Sequence, residues 1–288
     1  MVDTVKRTIL IFLAITLSCL YCLNAETKLK PHTGVVKDGY NFWLYNPYDS
    51  ISYNADSTVV RHPLVIFLHG ASLCGDNIDR VRTYGTIDAI EKGRKLDAYV
   101  VAPQNPGGAW IPKRIMNVVE WVRQHHQVDS NRIYAIGMSL GGYGTIDLAA
   151  TYPDKIAAAM ALCGGGSVKD LSGLNYVPLW IIHGTADRAV TIRQSDRVVE
   201  AMKQTDKNTP RLKYNRIPGM NHGQPARFLY LADSYEWLLN HSLEDENRPV
   251  AETFEPGNGI LSKAYDGLSF KNGKAKKRRQ SKARRRRK

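Results

Sequence analysis

The chain has few cysteines and lacks the common motifs that bind metals and nucleotides. Four of its 288 residues are cysteine, and two of these, Cys19 and Cys22, lie in an apolar N-terminal stretch. The other two, Cys74 and Cys163, are too few for a disulfide framework, so we expect two separate buried thiols. The sequence contains no H-E-x-x-H, no Walker loop and no G-x-G-x-x-G after a predicted strand. We therefore expect neither a cofactor nor a metal.

Acidic residues are absent from the C-terminal end. The chain carries a formal net charge of +13, and residues 271–288 hold twelve Lys or Arg with no Asp or Glu. The rest of the chain has 28 basic and 27 acidic side chains. The basic run is typical of a disordered electrostatic arm, with a solvated tail that has no specific partner as the alternative. We expect the arm to bind an anionic envelope component or an acidic polysaccharide, and no specific nucleic acid.

Long apolar runs are absent after the N-terminus. Two basic residues precede an apolar stretch from Ile9 to Leu23, and Ala25 is a small residue at a cleavable position. Because the apolar run is short and polar sequence follows at once, it indicates a signal peptide over residues 1–25. A lipid anchor on Cys19 or Cys22 is the alternative. We expect an exported protein, periplasmic or extracellular, free or envelope-associated, without a transmembrane segment in its mature form.

Between the two ends, short apolar runs alternate with longer amphipathic segments. Runs that are apolar at every position indicate strands buried on both faces, as in a parallel sheet covered by helices. The pattern predicts one α/β domain over residues 26–243, followed by a C-terminal extension over 244–288. The predicted strands are 64–68, 99–102, 133–136, 156–162, 179–182 and 212–217, and the predicted helices are 78–91, 113–125, 140–151, 192–203 and 228–240.

A serine, an aspartate and a histidine follow three of these strands, at the sheet edge where ligands gather. Ser139 lies in G-M-S-L-G between a strand and a helix, a pattern typical of a nucleophile held on a sharp turn. Asp187 and His222 follow the strands 179–182 and 212–217. A serine hydroxyl needs a base within hydrogen-bond reach, and that base needs a third group to orient it. The three residues therefore predict a catalytic triad.

The same segments resemble the α/β-hydrolase superfamily, of the esterase and dienelactone-hydrolase type. Features of phospholipase/carboxylesterases, feruloyl-esterase-like proteins and the catalytic domain of prolyl oligopeptidases are also present. The resemblance covers residues 35–242 and implies an α/β-hydrolase fold, a mostly parallel central sheet with helices on both faces. It further implies Ser139 as nucleophile, His222 as base and Asp187 as the orienting acid. The segments are PLVIFLHGASLCGDN, VVAPQNPGGAW, IGMSLGGYGTIDLAATYPD, PLWIIHGTADRAV and PGMNHG.

Other residues of the site are predicted from their positions beside Ser139 and at the ends of the neighbouring strands. The backbone N–H groups of Leu140 and Ala71 are the expected oxyanion-hole donors, with Ser72 as the alternative to Ala71. Trp110, in a glycine-rich loop at the same edge, and Met138, beside the serine, are expected to line the substrate pocket.

Two other histidines also end predicted strands. His69 and His183 each lie in an H-G turn, where an imidazole more often supports the loop than acts as a base. Among the acids, Asp196 and Asp233 compete with Asp187, but both lie inside predicted helices.

Only a short glycine-rich stretch separates the predicted strands 156–162 and 179–182, so we expect no large lid domain and an open cleft. The sequence predicts a secreted serine hydrolase that cleaves carboxylic esters, with small or glycan-linked acyl groups, through an acyl-enzyme. Two alternatives stay open: a serine peptidase of prolyl-oligopeptidase-like type, and a non-catalytic protein that binds an anionic polymer on a hydrolase scaffold.

Overall fold

An eight-stranded sheet forms the centre of the molecule. The computed structural model describes residues 28–252 and 254–270. The strand order is β1-β2-β4-β3-β5-β6-β7-β8; β1 and β2 run antiparallel to their neighbours, and the others pair in parallel. The strands are β1 (Leu29–His32), β2 (Phe42–Tyr45), β3 (His62–Leu68), β4 (Tyr99–Pro103), β5 (Val128–Met138), β6 (Ala158–Leu162), β7 (Leu179–Gly184) and β8 (Leu212–Ile217).

Helices cover both faces of this sheet, which confirms the predicted α/β-hydrolase fold. Successive side chains of the apolar strands pack in the hydrophobic cores on opposite faces of the sheet. Val65 and Trp180 pack on one face, and Leu64 and Leu179 pack on the other. The α-helices are α1 (Thr86–Glu91), α2 (Pro112–His125), α3 (Leu140–Thr151), α4 (Arg193–Thr205), α5 (Ala232–Leu239) and α6 (Asn258–Leu261). Short 3-10 helices span Ala71–Leu73, Ile78–Arg82, Ser172–Tyr176 and Gln224–Leu229.

The predicted helices 78–91 and 228–240 are each divided in two. Gly85 lies between Ile78–Arg82 and α1 with φ 92°, outside the helical region, and its amide donates to the Tyr230 hydroxyl at 3.1 Å. The strands β1 and β2 were not expected. β1 is a half-exposed edge strand of four residues that contains a proline. β2 is apolar and buried at every position, but a run of four residues is too short to distinguish a strand from a buried helical turn by its pattern.

The hydrophobic core reaches beyond residue 243, the predicted end of the domain. Leu261 and Ala264 are buried in the core that also contains Trp237 of α5. The Arg94 guanidinium donates to the carbonyl oxygens of Tyr230 at 2.7 Å and Ala264 at 3.3 Å. The chain after α5 therefore packs as part of the hydrolase fold, at least as far as Ala264.

The predicted signal peptide, residues 1–25, and the basic tail, residues 271–288, lie outside the described residues. Within the described ranges, the helices are all too short or too polar to cross a membrane.

The packing of the C-terminal segment can be tested by shortening one of its buried side chains. Leu261 is 1% exposed, so Leu261→Ala is expected to lower the free energy of unfolding by about 2–5 kcal/mol. The control is Ile51→Ala, whose side chain is 50% exposed, with an expected change below about 0.5 kcal/mol. Denaturant unfolding measures both variants. Equal stability of Leu261→Ala and the wild type would show that this segment adds nothing to the core.

Candidate active site

Ser139 occupies a sharp turn between β5 and α3. Its backbone has φ 58° and ψ −120°, a conformation that side-chain-bearing residues rarely adopt and that is commonly found at functional sites. The strand ends at Met138 and the helix begins at Leu140, so the turn consists of the serine alone. The side chain consequently projects from the carboxyl edge of the sheet.

Glycines on either side make this turn possible. A Cβ at Gly141 would lie 1.8 Å from the carbonyl oxygen of Leu68 at the end of β3, and a Cβ at Gly137 would lie 2.3 Å from the carbonyl oxygen of Gly141. No side chain fits at such distances. The two glycines of G-M-S-L-G are therefore needed for close approach of the backbone, as the sequence pattern indicates.

A chain of hydrogen bonds joins the three predicted triad residues. His222 Nε2 lies 3.0 Å from Ser139 Oγ, and His222 Nδ1 lies 2.6 Å from Asp187 Oδ2. An ionised carboxylate only accepts hydrogen bonds, so Nδ1 carries the hydrogen and Nε2 is free to accept from the serine hydroxyl. The Asp187 side chain is fully buried, and the His222 side chain is 27% exposed. This arrangement can withdraw a proton from Ser139.

The Asp187 carboxylate is held by its own loop. Its Oδ1 accepts the backbone N–H groups of Ala189 and Val190, each at 2.9 Å. The loop follows β7, and β7 pairs with β8, which leads to His222. Strand pairing therefore brings the acid and the base together although they are far apart in the sequence. Asp196 instead accepts a bond from the Tyr214 hydroxyl at 2.8 Å.

An open cleft of about 580 Å³ lies over Ser139, a volume within the usual range for small-molecule sites. Leu140 and Ala71 both line it, and each is the first residue of a helix, where the backbone N–H has no acceptor within the helix. Met138 also lines the cleft, as expected. The lining residues are Gly70, Ala71, Ser72, Tyr84, Met138, Ser139, Leu140, Tyr143, Ala189, Val190, His222, Gly223 and Ala226.

Trp110 does not line this cleft, in contrast to the expectation from sequence. Its side chain is buried, its Nε1–H donates to the carbonyl oxygen of His69 at 3.2 Å, and its ring lies against Gly144 of α3. The indole thus packs between α3 and the loop after β3, and stabilises that loop. Its position in a glycine-rich loop indicated the correct edge of the sheet, but not which way the ring points.

Two tyrosines that were not predicted to line the pocket contribute to the cleft. The Tyr84 hydroxyl accepts the backbone N–H of Gly70 at 3.0 Å, and burial raises the pKa of Tyr84, so the phenol stays protonated beside the serine. Tyr143, in the first turn of α3, forms part of the wall. Tyr84 reaches the site through a tertiary contact that local sequence does not encode, whereas Tyr143 lies one helical turn after Ser139.

His69 supports its turn, as expected. Its Nδ1 lies 2.8 Å from the Gly70 carbonyl oxygen and its Nε2 accepts the N–H of Asn105 at 3.0 Å. Burial lowers the pKa of His69 to about 4, which keeps the ring neutral near pH 7. The imidazole therefore stabilises the loop that carries Ala71 through these two hydrogen bonds.

Cys74 and Cys163 are separate free thiols. Burial raises the pKa of Cys163 to about 12, so its sulfur is a protonated thiol near neutral pH. Among the described residues, the metal-ligating atoms of Cys163, Asp187 and His222 lie within 4.8 Å of one another. However, Asp187 and His222 are already bonded to each other, so this group is arranged for proton transfer rather than for holding a metal.

Comparison with known proteins agrees with this geometry. The family model described as Phospholipase/Carboxylesterase matches residues 108–236. The chain is 29% identical over 121 residues to a poly(3-hydroxyalkanoate) depolymerase C from Paucimonas lemoignei, covering 36% of this chain and 28% of that protein. It is 30% identical over 151 residues to a bifunctional acetylxylan esterase/xylanase from Neocallimastix patriciarum, covering 49% of this chain and 22% of that protein.

Among solved structures, a thermostable esterase superposes with a TM-score of 0.59 at 24% identity, covering 75% of this chain and 63% of that one. At this identity the likeness concerns the fold alone. The chain spans about a quarter of the length of the two curated relatives. The sheet topology and the turn at Ser139 give the chain an α/β-hydrolase fold, and the Phospholipase/Carboxylesterase model matches part of it, residues 108–236.

Proposed function

We propose that the protein is a serine hydrolase that cleaves carboxylic esters, with Ser139 as nucleophile, His222 as general base and acid, and Asp187 as the orienting acid. The observation that carries the proposal is the hydrogen-bond chain from Ser139 Oγ through His222 to Asp187, at the floor of an open cleft. A buried carboxylate, a partly exposed imidazole and a projecting hydroxyl are the three parts that nucleophilic serine catalysis needs.

The first half-reaction forms an ester on the enzyme. As Ser139 Oγ attacks the carbonyl carbon of the substrate, its proton passes to His222 Nε2, 3.0 Å away. The imidazolium is stabilised by Asp187, whose Oδ2 already accepts the Nδ1 hydrogen. His222 then gives its Nε2 proton to the leaving alcohol, and the acyl group stays on Ser139.

The negative charge that develops on the carbonyl oxygen needs donors placed in advance. We assign this role to the backbone N–H groups of Leu140 and Ala71, which begin their helices at the cleft. The Leu140 amide also benefits from the N-terminal end of the α3 dipole. In the second half-reaction a water, deprotonated by His222, attacks the acyl-enzyme, and the acid product leaves with Ser139 reprotonated.

The cleft suits small acyl groups, including those displayed on a larger molecule. Its walls are mainly apolar side chains such as Met138 and Val190, and it is open to solvent. The names of the two relatives, an acetylxylan esterase/xylanase and a poly(3-hydroxyalkanoate) depolymerase, both refer to esters carried by a polymer. We therefore place glycan-linked acyl groups among the substrates. The peptidase alternative has no observation in its favour.

We further propose that the protein is exported and that the basic tail attaches it to an anionic surface. The N-terminal pattern of residues 1–25 and the twelve basic residues of 271–288 support this proposal. A cluster of this charge attracts anionic polymers and lipids through long-range electrostatics. The tail would concentrate the enzyme where polymer-bound esters occur.

Removal of the nucleophile tests the proposed mechanism. Ser139→Ala and His222→Ala are each expected to reduce kcat for a short-chain p-nitrophenyl ester by more than about 1,000-fold, because each removes a group that acts only in the reaction. A fluorophosphonate probe should label the wild type and the exposed-serine control Ser50→Ala, but not Ser139→Ala. Absent labelling of the wild type would favour the non-catalytic binding protein, and labelling that survives in Ser139→Ala would show that Ser139 is not the nucleophile.

The acyl preference can be measured separately. Acetylated sugars, cinnamoyl esters and short p-nitrophenyl esters are expected to give higher kcat/KM than long-chain triglycerides, because an open cleft covers little of a long chain. Stopped-flow or pH-stat assays give the ranking. A preference for triglycerides would contradict the assignment of substrate class.

Deletion of residues 271–288 tests the tail. The shortened protein is expected to elute from an anionic matrix at much lower salt than the full chain, since twelve basic side chains are lost. Its kcat for a small soluble ester should stay within about twofold of the wild-type value, because the cleft is formed by residues 70–226. An unchanged elution position would reject the anchoring role.

A further inference from the structure

The buried carboxylate of Asp187 contacts two histidines, not one. Its Oδ2 lies 2.6 Å from His222 Nδ1 and 3.3 Å from His183 Nε2, and the side chains of Asp187 and His183 are both 0% exposed. His183 belongs to β7, whereas His222 lies on the loop after β8. The predicted triad is therefore extended on its buried side by a second imidazole.

The surroundings of His183 determine where its ring carries a hydrogen. Nε2 lies 2.9 Å from the Val190 carbonyl oxygen and 3.3 Å from Asp187 Oδ2, and both of these atoms are acceptors. Without a hydrogen, Nε2 would place its lone pair against those of two oxygen atoms, in a site that is closed to solvent. Nε2 must therefore be protonated, and its hydrogen is shared between the carbonyl and the carboxylate.

The other ring nitrogen is held by α4. Nδ1 lies 2.7 Å from Ser195 Oγ, and this hydroxyl also lies 2.8 Å from the carbonyl oxygen of Gly164. Burial lowers the pKa of His183, which favours the neutral ring. The Ser195 hydroxyl has a single hydrogen, which can reach either Nδ1 or the Gly164 carbonyl oxygen, so Ser195 is compatible with more than one protonation state of the ring. The two acceptors beside Nε2 therefore determine that this nitrogen carries a hydrogen.

We propose that His183 is a positioning residue that donates its Nε2 hydrogen to Asp187 and thereby limits how strongly this carboxylate attracts the proton of His222. The proposal rests on the proposed function, in which His222 is the base. An oxygen that already accepts one hydrogen bond is a weaker acceptor for a second. His183 would keep the imidazolium of His222 from becoming too stable to return its proton.

Neighbouring charged groups also act on His183. Asp187 favours a charged His183 and His222 opposes it, so protonation of one ring disfavours protonation of the other. Burial raises the pKa of Cys163 at the end of β6 and of Tyr143 in α3, and the Asp187 charge adds to this effect on each group. Both stay neutral near pH 7, and Arg197 of α4 acts on Tyr143. His183 and His222 are therefore the two imidazoles in contact with the Asp187 carboxylate.

Three substitutions of His183 separate the effect of its hydrogen bond to Asp187 from the effect of side-chain packing. His183→Leu removes both ring nitrogens. His183→Gln can return an N–H near the Nε2 position, whereas the shorter His183→Asn can satisfy only Ser195. We expect the acid limb of the kcat/KM profile to move upward by about half a pH unit or more in the Leu and Asn variants, and to stay near wild type in the Gln variant.

The same effect is measurable without turnover. In a Ser139→Ala background, the His222 ring can be titrated by NMR, and its midpoint should rise with His183→Leu and His183→Asn but not with His183→Gln. His125→Leu, at the exposed end of α2, is the control and should leave the midpoint unchanged. If the Leu variant does not fold, the Asn and Gln pair still gives the comparison.

Unchanged midpoints in the Leu and Asn variants, or equal shifts in the Asn and Gln variants, would overturn the proposal and leave His183 as a packing residue. Failure of the proposed function has a different signature: undiminished hydrolysis by Ser139→Ala. The NMR midpoint of His222 does not depend on hydrolysis, so the two failures are distinguishable.

Discussion

The close approach of the first turn of α3 to the end of β3 is the constraint on which the site depends. At Gly141 the two backbones are so near that a Cβ would lie 1.8 Å from the Leu68 carbonyl oxygen. This contact forces the chain to turn within one residue, which gives Ser139 its φ of 58°. It also brings the loop that carries Ala71 beside the N-terminus of α3. The nucleophile and both proposed oxyanion donors are thus positioned by one backbone contact.

Burying a carboxylate beside this turn requires that its oxygens be fully bonded, because an unpaired buried charge is strongly destabilising. Asp187 meets this requirement with two amides on Oδ1 and two imidazoles around Oδ2. The donors come from its own loop, from β7 and from the loop after β8. Because His183 belongs to a strand and the other donors lie on loops that directly follow β7 and β8, the carboxylate is bonded before His222 becomes charged, which is the electrostatic advantage of a site organised in advance.

The sequence predicts the parts of the molecule that depend on local pattern. Five of the six parallel strands follow from continuous apolar runs, whereas β8 is only partly apolar, and the turn at Ser139 follows from the two glycines around it. Features that depend on tertiary contact were not predictable. The ring of Trp110 packs under the β3 loop rather than into the cleft, and Tyr84 reaches the cleft from a separate segment. The role proposed for His183 depends on distances between three separate elements, which an H-G turn alone does not specify.

The openness of the cleft has a physical cause in the connection from β6 to β7. A Cβ at Gly164 would lie 2.5 Å from the carbonyl carbon of Gly142, so this connection starts pressed against α3. The buried Asp147 of α3 then accepts the backbone N–H groups of Ser167 at 2.7 Å and Val168 at 3.2 Å. These bonds hold the connection on the side of α3, away from the cleft. Since Gly164 also provides the carbonyl for Ser195, a lid inserted at this point would disturb the support of His183 as well as cover Ser139.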